Sequence, residues 1–112
     1  MELREIQSMN AEFGRARGWQ KFHASQVFVH LIEELGEISR YISVEEGYKA
    51  VGLGHDAPKE GDLSREFAQS FSLFVQLANH FRVDLESAVI QEMKIMKERF
   101  PEDKWSEYMD SK

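Results

Sequence analysis

The chain has 112 residues, enough for one domain with a modest core, and its 42% apolar and 30% charged content is that of an ordinary soluble protein. A net charge of −6 offers no basic footprint for a nucleic acid polymer, although it leaves room for a small polyphosphate whose charge a bound metal offsets. No apolar run approaches the roughly 20 residues that span a bilayer, the charged start Met1-Glu-Leu-Arg-Glu5 is unlike a signal peptide, and the absence of cysteine removes disulfides, thiolate nucleophiles and zinc–thiolate sites; a cytoplasmic protein with no membrane partner is expected.

The first helix is expected over 2–17, with Gly18 as its C-terminal cap. A second helix is expected from Ala24 or Ser25 to Glu46, stopping at Gly47, with Val27, Leu31, Leu35, Ile38 and Ile42 as its core-facing stripe. Between Gly47 and Gly61 the glycine-rich segment with Pro58 reads as a long loop, in which His55 and Asp56 are noted because a lid would carry them. The third helix is expected to start at an Asp62 or Ser64 cap and to bury Leu63, Phe67, Phe74, Leu77 and Phe81. Asp84 is the expected cap of a fourth helix with Leu85, Val89, Met93, Met96 and Phe100 as its stripe. Pro101 ends that helix, and the rest is a short final helix or tail. With little alternating β-branched sequence, the reading is one all-α domain over 1–112: an antiparallel four-helix bundle.

Acidic side chains interrupt this pattern on the second helix. Glu34 falls at the edge of the stripe and Glu37 just beside it, while Glu33 lies further toward solvent. A carboxylate held against a core needs a partner, and a divalent cation is one such partner. On the third helix Glu66 and Gln69 repeat the spacing of three, so the two helices together offer an oxygen-rich cage suited to magnesium or manganese. A solvated acidic face is the plain alternative. A ferritin-like di-iron site is excluded, because no histidine follows a glutamate by three; no Walker loop, Gly-x-Ser-x-Gly or His-Glu-x-x-His is present either.

Three segments carry a resemblance: RARGWQKFHASQVFVHLIEELGEI, REFAQSFSLFVQLANHFRVDL and LESAVIQEMKIMKERFP. In order and spacing they are similar to the MazG-like all-α nucleotide pyrophosphohydrolases, including the branch that hydrolyses dCTP. The resemblance implies magnesium- or manganese-dependent hydrolysis of a nucleoside triphosphate between the α and β phosphates, giving the monophosphate and pyrophosphate. It implies metal ligation by Glu34, Glu37 and Glu66 with Gln69 in the fourth position, and catalytic roles for Glu34 and for Glu33 as a base toward the attacking water. Trp19 and His23 match positions near the nucleobase.

The chain departs from the family pattern at two places. Gln69 stands where the pattern has an aspartate, and an amide brings an oxygen but no charge. In the last core helix, Glu92, Ile95 and Met96 replace a lysine and a Lys-Asn pair that would grip phosphates. Glu92, near its stripe's edge, is the candidate to supply the missing carboxylate at the substrate. The rival readings are a catalytically weakened or inactive chain that binds metal, nucleotide or a protein partner, and a purely structural helical oligomer. Surplus apolar side chains such as Phe13, Phe22, Phe28, Phe71 and Val75 point to a homodimer or homotetramer.

Overall fold

Polar and apolar residues alternate along the first helix with a period that decides which face turns inward. In a computed structural model, which describes residues 1–55 and 63–112, helix α1 runs Leu3–Arg15. Its half-buried residues are Leu3, Ile6, Gln7, Asn10, Ala11 and Gly14, a single helical stripe. The helix ends at Ala16, before the expected Gly18; that glycine instead takes φ 74° and turns the chain into a 3-10 turn, Trp19–Lys21.

Helix α2, Ala24–Glu45, is about 33 Å long and opens at His23, whose backbone N–H donates to Gln26 Oε1 at 2.9 Å. It closes as expected, with Gly47 at φ 76° just beyond the C-cap Glu46. Helix α3, Leu63–His80, is the central element, packed along α2 on one side and α1 on the other. The expected Asp62 cap lies outside the described residues, as does Asp56. At its far end Val83 N–H bonds to Ala78 C=O at 3.0 Å, and Arg82 holds the left-handed position, φ 56°, that glycine fills after α2.

Two polar side chains on the inner face of α1 join it to its neighbours. Gln7 donates to Asn79 Oδ1 (2.9 Å) and Val83 C=O (2.8 Å) and accepts from Leu85 N–H (2.9 Å), while Asn79 donates back to Gln7 C=O (3.0 Å). Asn10 donates to Ser72 C=O at 3.1 Å. Every one of these bonds crosses between elements, so the polar groups fix register where an apolar pair would slide.

Helix α4, Leu85–Arg99, begins at the expected Asp84 cap, whose carboxylate accepts from Ser87 N–H. Arg4 of α1 reaches Asp84 (3.2 Å) and Glu86 (3.0 Å) and so fastens the first turn of α4. The cap hydrogen bond from Ser87 N–H, aided by Arg4, holds the Asp84 carboxyl below its ordinary range against a smaller opposing effect of desolvation. Beyond that first turn α4 is exposed throughout, and helix α5, Glu102–Asp110, continues the arm after Pro101. Trp105 lies edge-on to Phe100 and Tyr108.

The architecture is thus all-α and bundle-like, as expected, with α4 and α5 extending from three packed helices. The extent of 51 × 47 × 25 Å and a radius of gyration of 18.4 Å exceed the roughly 13 Å of a compact 100-residue domain. Two stripes differ from expectation. On α2 Val27, Leu31 and Ile38 are buried and the half-buried positions include Glu34, Glu37 and Tyr41, while Leu35 and Ile42 are about half exposed. On α3 the covered positions include Glu66, Ser70, Leu73, Val75 and Leu77, whereas Leu63, Phe67, Phe74 and Phe81 face outward. Sandwiched between two helices, α3 hides the face that meets them, and its phenylalanines form a separate apolar face.

Candidate functional site

The covered stripe of α2 contains Glu34 in a position that apolar residues occupy on either side. Glu37 lies one turn further on, also half-buried. Across the α2–α3 seam, Glu66 is half-buried in the first turn of α3, where the amide dipoles favour a negative charge. Ser70 follows it one turn later and is buried. Three half-buried carboxylates and a buried hydroxyl therefore lie on the two helices that pack together.

The oxygens there are unevenly served. His30 Nε2 stands 3.5 Å from Glu34 Oε1, and Arg40 lies 3.6 Å from Glu37 Oε2. The latter distance is Coulombic contact and too long for a hydrogen bond. Oε2 of Glu37 and Oγ of Ser70 are shielded from solvent and take no hydrogen bond, and Oε2 of Glu66 is shielded as well. Such oxygens suit a hard cation in kind. In number they fall short: among the described residues no three His, Cys, Asp or Glu side chains come together to hold a metal ion.

The remaining sequence candidates lie elsewhere. Gln69 is exposed; the α3 side chain that follows Glu66 into the seam is Ser70, four residues on instead of three. Glu33 is exposed on α2, as expected from its angle. Glu92 is exposed on the α4 arm. His23 occupies the N-cap of α2, its ring exposed.

Trp19 has a more specific setting. Gly18 lifts it onto the end of α1, where its Cβ passes 3.6 Å from the space a side chain at Gly14 would fill. Its ring meets Phe13 edge-on at 5.5 Å. Cavities of 290, 300 and 370 Å³ all have Trp19 and Gln76 in their walls. The 300 Å³ cavity is lined by Trp19, Phe22, Gln26, Val27, His30, Leu73 and Gln76, a largely apolar space with a few polar groups, of the size at which small-ligand pockets begin. His30 belongs both to this cavity and to the seam through Glu34, so the aromatic pocket and the carboxylates are consecutive along α2. Sequence reasoning missed Ser70, Gln26 and Gln76; only the spacing of four from Glu66 pointed to the first, and the glutamines carry no motif.

These features define an all-helical protein with an acidic helix seam next to an aromatic, amide-lined cavity. No protein-family model matches the chain. Over 100 residues, 88% of the chain, it is 29% identical to dCTP pyrophosphatase 1 of Homo sapiens, and 27% identical to the proteins of that name from Rattus norvegicus and Mus musculus. The chain spans 59% of the length of these relatives. No helix among the described residues is long and apolar enough to cross a membrane.

Proposed function

We propose that this chain hydrolyses a nucleoside triphosphate to its monophosphate and pyrophosphate, in the manner of the MazG-like pyrophosphohydrolases. The observation that supports it best is the continuity through His30 from the aromatic cavity to Glu34. A base held at Trp19 directs its phosphates along α2 toward the seam, and the similarity to dCTP pyrophosphatases supports the same assignment.

Glu34, Glu37 and Glu66 are the side chains that the resemblance assigns to a magnesium or manganese ion; as they do not come together as a cage by themselves, the substrate's phosphate oxygens or water would have to complete the shell, and the ion would then offset phosphate charge and lower the pKa of an attacking water. Water oxygen forms a bond to the α-phosphorus, the bond from that phosphorus to the α–β bridging oxygen breaks, and pyrophosphate leaves with the electron pair. A carboxylate takes the water's proton. Of the two candidates, Glu34 has the better position, half-buried at the seam with His30 beside it, whereas Glu33 is exposed. Trp19 offers a face for stacking. Exposed apolar side chains along α4 and α5, such as Met93, Met96 and Trp105, support a homodimer or homotetramer in which these arms are covered.

The test is pyrophosphate release from a panel of canonical and modified nucleoside triphosphates with magnesium or manganese. Release that stops on chelation is expected; no release from any of them contradicts the proposal. A second reading, a nucleotide-binding chain with weakened catalysis, is favoured by the exposed and uncharged Gln69 and by Glu92 on the arm. It is distinguished by Gln69→Asp, which would raise turnover or metal affinity only if this position reaches the site.

A further inference from the structure

Ser70 of α3 is 6% exposed, and its Oγ is shielded from solvent and takes no hydrogen bond. A serine on a helix has a partner close to hand, a carbonyl one turn back. Ser39 and Ser111 use it, donating to Gly36 C=O and Tyr108 C=O at 2.6 Å, whereas Ser70 does not. A buried hydroxyl left without that bond is costly unless something else takes it up.

The register of the two helices says what lies near it. Where α3 supplies Asn79 and His80 to a cavity wall, the segment before α2 supplies Gln20 and Phe22; where α3 supplies Leu73, α2 supplies Val27 and His30. One numbering falls as the other rises, so α2 and α3 run antiparallel. Ser70 and Glu66 lie on the same face of α3 as Leu73, at spacings of three and seven. Three or four residues of helix span about 5 Å, so the step from Leu73 back to Ser70 matches the step from His30 on to Glu34. One further turn brings Glu66 level with Glu37. Ser70 is therefore level with one acidic residue and a turn away from two more.

We propose that Ser70 Oγ is an oxygen ligand for the divalent cation of the seam, in the place that the exposed Gln69 does not fill. The inference rests on the reading above that this seam holds such an ion. Among the described residues no three His, Cys, Asp or Glu side chains gather to hold a metal, and a hydroxyl is an oxygen of the kind that makes up the shortfall. Serine and threonine hydroxyls ligate magnesium in phosphate-binding loops by the same chemistry. The shielded Oε2 atoms of Glu37 and Glu66 supply charge, and water or substrate phosphate completes the shell. A hydroxyl adds an oxygen without adding charge. Three carboxylates with one divalent ion keep a single negative charge, where a fourth carboxylate would keep two, so the loaded seam repels a polyphosphate less.

The experiment is manganese titration of the full chain without nucleotide, followed by the paramagnetic resonance signal of free Mn²⁺. Neither substrate nor turnover enters, so a failure to release pyrophosphate from triphosphates leaves this result to be read independently. The parent should bind Mn²⁺, and Ser70→Ala, which keeps the small volume, should bind it about tenfold more weakly. A serine that only packs predicts no change. Gln69→Asp should leave the affinity as it is. Ser70→Cys gives a spectroscopic signature, and it serves if the alanine variant loses its helical circular dichroism. Because the chain has no cysteine of its own, cadmium bound there should show a sulfur-to-metal charge-transfer band that arises only from position 70. Adding Glu37→Gln to that variant should weaken cadmium binding about tenfold, which a lone thiol would not require. No Mn²⁺ binding by the parent, parent-like binding in folded Ser70→Ala, tighter binding in Gln69→Asp, or a cadmium band that is absent or indifferent to Glu37→Gln would each overturn the proposal.

Discussion

The α2–α3 seam and the α4–α5 arm are both amphipathic helix surfaces, yet one is closed within the chain and the other is open. The seam closes although its stripe carries Glu34 and Glu66, and Val75 of α3 is wholly inaccessible. The arm stays open although its stripe, Val89, Met93, Met96 and Phe100, is purely apolar. Apolar content thus does not decide which face is covered inside the chain. Position does: α3 lies between two helices, whereas α4 is tied down only at its first turn by Arg4 and the Gln7 network. Under the proposed function the two regions take different partners, a cation or nucleotide at the seam and a second copy of the chain at the arm.

The same kind of substitution should therefore have opposite consequences in the two regions. Val75→Asp places an unpaired charge in the closed core and should remove about 4 kcal/mol or more, on the order of a small domain's whole stability, with loss of helical signal at 25 °C. Met96→Asp on the open arm should leave each chain folded but shift the assembly to smaller species in light scattering coupled to size-exclusion chromatography. An unchanged mass distribution would mean that the arm is not the surface that pairs. At the junction of the two regions, Gln7→Ala removes three side-chain hydrogen bonds and should lower stability in denaturant titration by roughly 1–2 kcal/mol. The smallest effect is expected from acid. The Asp84 carboxyl is held below its ordinary value of 3.8, so its contribution is present above that value and is lost as pH falls through the lower folded value. Amide exchange in the first turn of α4 should accelerate in that range, and Asp84→Asn should flatten the dependence.

Much of the fold is legible in the sequence because helix ends are local chemistry. Gly47 after α2, Asp84 before α4 and Pro101 after it each act through one or two backbone groups and lie where their residue type predicts. The faces were less legible. The covered face of α2 takes in Glu34 and Tyr41 where the expected stripe has Leu35 and Ile42, a rotation by one residue at each place that only the partner helix selects. The same limit explains the site. Glu34, Glu37 and Glu66 stand out because acids are unusual at a covered position, and each of the three is half-buried. A spacing of three from Glu66 leads to Gln69, which is exposed, whereas the covered face of α3 continues at a spacing of four to Ser70. The Trp19 cavity depends on α1, the turn after it, α2 and α3 meeting, a convergence of distant segments that no local pattern records.

The central claim, that the seam carboxylates serve phosphate chemistry and not merely packing, is tested most directly by Glu37→Gln. The shielded Oε2 of Glu37 stands 3.6 Å from Arg40 and takes no hydrogen bond, so an amide of the same size should leave the melting temperature within a few degrees of the parent, about the shift expected for 1 kcal/mol or less. Pyrophosphate release measured on the same samples should fall at least about 100-fold, the scale of losing a group that acts on the reacting phosphate. A variant that melts like the parent and still releases pyrophosphate at the parent rate would contradict the account.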